Sequence, residues 1–211
     1  MADILQKIAS NLYNGEEEIV TELVQQALAQ GLAPDEILKG GLIAGMDEVG
    51  RDFKAGDLFV PEVLIAARAM HAGMAVIRPL LTGTGAAGIG KFVIGTVKGD
   101  LHDIGKNLVK MMLEGAGFET VDLGTDVSAE AFVAAVRQHQ PRLVGMSALL
   151  TTTMVQMKTI IDALEEAGLR DSVKIMVGGA PVTAAYAQQI GADAYAPDAA
   201  SAVDSARSLA A

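Results

Sequence analysis

From residue 92 onward, apolar runs of four to six residues alternate with stretches of helical period, a rhythm that few folds accept. The runs are 92–97, 118–123, 143–146 and 173–177, with 192–195 as a short fifth. Between them, helical patterns occupy 104–113, 129–138, 152–166 and 184–190, and a last helix closes the chain. Short strands joined by helices predict a mostly parallel sheet covered on both faces. In such sheets ligands bind beyond the carboxyl ends of the strands. That rule selects the loops after Val97, Leu123, Met146 and Val177.

The first half has a different rhythm. Ile4, Leu5, Ile8 and Leu12 recur at helical spacing, as do Ile19, Val20, Leu23, Val24, Ala27 and Leu28. Pro34 opens a third helix where its missing N–H costs nothing, and the pattern runs on to Val49. A fourth helix begins around Phe59 to Pro61 and ends before Pro79. Short joins between them predict an antiparallel bundle. The stretch from Gly83 to Gly90 is rich in glycine and poor in bulk, so it reads as a linker. The expected organisation is a helical bundle over 1–82, a joint over 83–90 and an α/β domain over 91–211.

Composition narrows the chemistry. The chain lacks cysteine, which excludes disulfides, thiolate zinc sites and thiol nucleophiles. With 16 Lys and Arg against 26 Asp and Glu, the net charge of -10 argues against nucleic acid or an anionic membrane as partner. No apolar run is expected to reach the length of a membrane span, and the start of the chain lacks the pattern of a secretion signal. A cytoplasmic location is expected.

The selected loops carry a histidine, carboxylates and hydroxyls. After the first strand comes Lys98-Gly99-Asp100-Leu101-His102-Asp103-Ile104-Gly105; after the third, Ser147-Ala148-Leu149-Leu150-Thr151-Thr152-Thr153; after the fourth, Gly178-Gly179. An Asp two residues before a His can hold one imidazole nitrogen and free the other as a base or metal ligand. Spacing alone leaves His102 equally a surface or helix-cap histidine. Thr151 to Thr153 could likewise cap the following helix, and the glycine pair could simply relieve crowding after a strand. His71 and His139 read as structural. A dinucleotide site fits poorly, since no G-x-G-x-x-G follows a strand, and no phosphate loop is present.

Taken together, Asp100-Leu101-His102-Asp103-Ile104-Gly105, Ser147-Ala148-Leu149 and Gly178-Gly179 match the ordered signature of cobalamin-binding domains. The bundle adds Gly50-Arg51-Asp52-Phe53-Lys54-Ala55-Gly56-Asp57-Leu58-Phe59-Val60-Pro61-Glu62-Val63, which resembles that family's helical cap. The chain is therefore similar to the corrinoid methyl-carrier proteins of methyltransferase systems and to the cobalamin-binding module of methionine synthase.

The resemblance implies a four-helix cap followed by a flavodoxin-like, Rossmann-like domain with strand order 2-1-3-4-5. It implies cobalamin or a related corrinoid, methylated on cobalt in the loaded form, as cofactor. His102 would be the lower axial ligand to cobalt, Asp100 its hydrogen-bond partner and Thr153 the hydroxyl continuing that relay. Asp103, Gly105 and Leu149 fall within the matching motifs, while Ser147 and Thr151 would line the pocket for the cofactor's nucleotide tail. Gly178 and Gly179 would let backbone approach that tail. Phe53, Val60 and Val63, with Phe59, would form the apolar cover of the methyl-bearing face; alone, the two aromatics read as bundle core. Implied partners are a substrate-specific methyltransferase, an acceptor methyltransferase acting on a tetrahydrofolate-type pterin or coenzyme M, and a reductive activation protein. The chain would be a carrier subunit and not a complete enzyme. The alternatives are a cobalamin-responsive regulator or an adenosylcobalamin mutase subunit.

Overall fold

The computed structural model describes residues 2–81 and 89–211; of the joint 83–90, only Ile89 and Gly90 are among them. Residues 2–81 fold as four helical rods: α1 (Ala2–Tyr13), α2 (Glu17–Ala29), a run of α3 (Pro34–Ile37), a π-helical turn (Leu38–Ile43) and α4 (Ala44–Ala55), and finally α5 (Val60–Leu81). The apolar stripes face inward, with Ile8, Leu12, Val20, Val24, Leu42, Val49 and Ile77 fully buried. Pro34 occupies the first turn of α3, and the Glu36 carboxylate accepts the Ala33 N–H at 3.1 Å. The Tyr13 hydroxyl donates to Asp52 Oδ2 at 2.9 Å, linking α1 to α4.

Three features differ from the sequence reading. The third helix is not uniformly wound. Its π-helical turn contains Gly40 and Gly41, and a Cβ on Gly41 would sit 3.0 Å from Ile8. The winding thus brings a side-chain-free surface against α1, and apolar spacing does not register the extra residue. Second, α5 continues through Pro79 to Leu81. The proline omits one bond to the preceding turn but lies too near the end to break the helix. Third, α5 has the length and apolar composition of a membrane span, contrary to expectation. Val63, Ala66, Met70, Gly73 and Ile77 on this helix are nevertheless buried in the protein.

The other segments build a parallel sheet in the order β2-β1-β3-β4-β5, from β1 (Lys91–Thr96), β2 (Glu119–Asp122), β3 (Leu143–Ser147), β4 (Lys174–Gly178) and β5 (Ala194–Ala196). Helices α6 (Ile104–Gly115), α7 (Ala129–His139), α8 (Thr151–Met154), α9 (Gln156–Glu166), α10 (Ala184–Ile190) and α11 (Ala199–Ala210) complete it. On one face Val93, Val144, Met146, Ile175 and Val177 pack with Phe132 of α7 and Met157, Ile160 and Leu164 of α9. The alternate residues Phe92, Ile94, Leu143 and Met176 are also buried, and Phe92 meets Phe118 edge-on at 6.3 Å. Both faces are covered, as the apolar runs require.

Boundaries moved where pairing overrode local pattern. The 152–166 helix is interrupted at Val155, after a start rich in β-branched threonine. Strand β4 begins at Lys174 because Arg170–Ser172 forms a 3-10 turn, and it extends to Gly178 by pairing with Ser147. By contact density the chain divides into one unit of residues 2–81 with Gly115–Gly117, and another of Ile89–Glu114 with Phe118–Ala211.

Candidate functional site

The sheet register aligns the carboxyl ends of four strands. Thr96 pairs with Ser147, Ser147 with Gly178, and Gly178 with Ala196. The chain leaves β1 into the loop of residues 97–103, and the Asp100 N–H donates back to the Val97 carbonyl at 3.1 Å. Buried Thr96 donates its hydroxyl to the His102 carbonyl at 2.9 Å, fixing the loop from below.

Asp100 organises this site. Its side chain is fully buried yet has four donors, matching the acceptor capacity of a carboxylate. Oδ1 accepts the His102 N–H at 3.1 Å and lies 2.8 Å from His102 Nδ1. Oδ2 accepts the Leu149 N–H at 2.7 Å and the Thr153 hydroxyl at 2.6 Å. Burial alone would raise the carboxyl pKa, but bonds from Thr153, Leu149 and His102 outweigh it and hold Asp100 well below the usual carboxylate range.

An ionised Asp100 only accepts, so Nδ1 is the donor of this pair, and the neutral ring in this tautomer carries its lone pair on Nε2. The His102 side chain is 53% exposed. Beside it in the chain, Leu101 and Ile104 are 74% and 80% exposed, and beyond β3 Leu149, Leu150 and Val155 are also exposed. A Cβ on Gly105 would enter open space, so packing within the protein does not explain the glycine. Among the described residues no group of three or more His, Asp or Glu side chains could hold a metal ion. One imidazole set in an apolar surface instead fits a metal whose other positions are filled by a macrocycle. The donor set and the open apolar face therefore fit a corrinoid.

The remaining expected residues fall as follows. Asp103 precedes α6, and its carboxylate accepts from Asn107 Nδ2 at 3.0 Å. Ser147 ends β3, and its carbonyl accepts the Val97 N–H at 3.0 Å. Thr151 is the exposed first residue of α8. No threonine caps that helix: Leu150 is the N-cap, and the Thr153 hydroxyl is drawn to Asp100 because that anion is the stronger acceptor. Gly179, at φ 124°, would place a Cβ 1.8 Å from the Ala148 carbonyl oxygen. The protein's own backbone thus already demands this glycine; at Gly178 a Cβ would lie 3.0 Å from the Ala196 oxygen. In the bundle, Phe59 is 66% exposed and Val60 is exposed, Phe53 is half-buried and Val63 is fully buried.

Several supporting residues escaped the sequence reading. Thr96, Asp126 and Asp122 carry no motif, and only the folded backbone brings them to the loop; Lys106 adjoins it in sequence. Lys106 is buried and bonds Asp122 at 2.6 Å and Asn107 at 2.8 Å. Burial pushes the Asp122 carboxyl up, but Lys106, the Gly124 N–H and Lys110 together hold it below the usual range. The exposed Leu101 and Ile104 were legible as apolar residues beside a polar motif, though nothing local marked them as surface.

Comparison with known proteins agrees with this geometry. Residues 90–204 match one B12 binding domain family and residues 4–78 match a second, also described as a B12 binding domain. Trimethylamine corrinoid protein 1 of Methanosarcina acetivorans is 45% identical over 209 residues, spanning 98% of this chain and 97% of that protein. The dimethylamine corrinoid protein of Methanosarcina barkeri is 45% identical over 208 residues, with the same coverage of each. Among solved structures, a cobalamin-binding protein from Desulfitobacterium hafniense superposes with a TM-score of 0.81 at 34% identity, covering 97% of this chain and 98% of that one. A chain of the methanol:cobalamin methyltransferase complex from Methanosarcina barkeri gives a TM-score of 0.89 at 34% identity, covering 99% of this chain and 80% of that one. By sequence across nearly its whole length, and by fold, this chain belongs to the corrinoid, cobalamin-binding methyl-carrier proteins.

Proposed function

We propose that this carrier holds its corrinoid through His102 Nε2 and receives its methyl group from a methyltransferase specific for methylated amines. The histidine assignment is carried by one observation: Nδ1 is tied to a buried, four-fold bonded Asp100, leaving Nε2 as the free nitrogen of a half-exposed ring. The donor class is supported by the 45% identity to trimethylamine and dimethylamine corrinoid proteins. When bound, the corrinoid supplies a cobalt centre able to accept a methyl group and give it up.

The chain's own residues provide grip and control. Asp100 keeps the Nδ1 proton in place, so Nε2 retains its lone pair. Thr153 and the Leu149 N–H stabilise the negative charge that makes Asp100 an effective partner. Leu101, Ile104, Leu149 and Leu150 offer apolar surface, and Gly105 leaves room for close approach. Ser147, Thr151 and the Gly178-Gly179 turn lie along the strand ends and serve the nucleotide tail. In the bundle, Phe53, Phe59 and Val60 supply apolar contacts to the cofactor, with Val63 supporting them from the core.

The carrier works in the cytoplasm between its donor methyltransferase and an acceptor methyltransferase using coenzyme M or a tetrahydrofolate-type pterin. A reductive activation protein restores inactive cobalt. Protein reconstituted with cobalamin and reduced to cobalt(II) tests the ligand assignment. Labelling the histidines with 15N is expected to convert the nitrogen hyperfine pattern from triplets to doublets, and His102→Ala to abolish the histidine signal. Triplets that persist in the 15N-histidine wild type, or doublets that persist in 15N-histidine His102→Ala, overturn the assignment. Methylation of the loaded protein by a methanol-specific transferase, but not by amine-specific ones, would overturn the donor class.

A further inference from the structure

We infer that Asp126 is a positioning residue for the metal-ligating histidine, acting through the backbone on either side of Asp100. Asp126 follows β2 and makes two opposed bonds to the His102 loop. Its Oδ1 accepts the Gly99 N–H at 2.7 Å, and its own N–H donates to the Asp100 carbonyl at 3.0 Å. The backbone before and after the Asp100 side chain is thus held by a single residue.

Asp126 has φ 55°, one of two left-handed non-glycine residues among those described. Aspartate tolerates this conformation better than most residues but still pays strain for it. Neighbouring bonds keep it there: the Thr96 N–H donates to the Gly124 carbonyl at 2.9 Å and the Val127 N–H to the Thr96 carbonyl at 3.0 Å. The same turn carries Asp122, which takes Lys106 from the first turn of α6. The turn of residues 122–127 therefore grips the His102 loop at its start and the helix that follows at its beginning. Asp126 holds the point from which the Asp100 carboxylate reaches the imidazole. Leu149, in the segment after β3, and Thr153 of α8 fix that carboxylate but not the backbone that bears it.

The inference rests on His102 as ligand. Its test uses full-length protein reconstituted with cobalamin and examined as cobalt(II) by electron paramagnetic resonance, beside urea unfolding of cofactor-free protein. Asp126→Gly removes the acceptor while relieving the left-handed backbone, so it folds; Asp126→Asn retains an acceptor oxygen. The ratio of histidine-detached to histidine-ligated cobalt is expected to rise by about threefold or more in Asp126→Gly, as loss of a charge-assisted bond implies, and to return most of the way to wild type in Asp126→Asn. A ratio unchanged in Asp126→Gly, with or without a lower unfolding midpoint, overturns the inference and leaves Asp126 an ordinary turn residue. If wild-type protein binds cobalamin but shows no histidine nitrogen, the ligand assignment fails first and takes the positioning role with it.

Discussion

Thr153 lies 53 residues beyond Asp100 in sequence, yet its hydroxyl donates to Asp100 Oδ2 at 2.6 Å. Strand β1 delivers one residue and β3 the other, and their parallel pairing makes the meeting possible. Thr153 is itself buried, so the hydroxyl cannot exchange its partner for bulk water without local opening. Thr153→Val, which keeps the shape and removes the hydroxyl, is expected to destabilise the cofactor-free protein by about 1–3 kcal/mol. Thr153→Ser is expected to recover most of that loss. Urea midpoints at constant slope measure both; equal midpoints for wild type and Thr153→Val would refute the contribution.

Asp100 sets an acid limit on stability. Its folded-state pKa lies below its ordinary value of 3.8, so its contribution is complete well above that value and is lost as pH falls toward the folded value. Unfolding free energy is therefore expected to fall on acidification below about pH 4. Asp122, depressed in the same direction, contributes to the same slope. Asp100→Asn removes the Asp100 part, so its stability is expected to be lower at neutral pH and flatter below pH 4. Urea titrations from pH 3 to 7 check this (the interval spans the ordinary carboxylate range). Parallel curves for the two proteins would contradict the sign.

Two glycines separate folding from cofactor binding. Gly179→Ala drives a Cβ into the Ala148 carbonyl oxygen and places alanine at φ 124°. It is expected to cost about 3 kcal/mol or more before any cofactor is present. Gly105→Ala meets no protein atom within 4 Å and lies in the first turn of α6. Replacing a helical glycine is expected to raise cofactor-free stability by up to about 1 kcal/mol, while weakening cobalamin uptake. Thermal unfolding and cobalamin titration of the two variants measure these effects. Unaltered uptake by Gly105→Ala would show that the open space serves no corrinoid.

The parallel sheet was readable because apolar runs of strand length, interrupted by helical periods, have few other solutions. The relay was readable only through the resemblance: spacing puts Asp100 beside His102 but leaves that histidine equally a surface residue, and the match to the cobalamin-binding signature is what singles out Thr153. Thr96 and Asp126 were not readable. Thr96 looks like any β-branched strand residue, and Asp126 like any turn aspartate, until the sheet places them against the His102 loop. The π-helical turn was hidden because apolar spacing is insensitive to one extra residue per turn. Gly179 answers to the Ala148 backbone, which is the crowding after a strand that the sequence offered as the alternative to a binding role.

The position of Leu149 and Thr153 beyond β3 has a consequence for biosynthesis. A nascent chain that has emerged only through β1 and α6 already contains the histidine and its aspartate, but none of the donors from Leu149 or Thr153. Those arrive only after the third strand is made and seated beside the first. The full set of bonds on Asp100, and with it the fixed orientation of the His102 ring, is thus timed to the closing of the sheet.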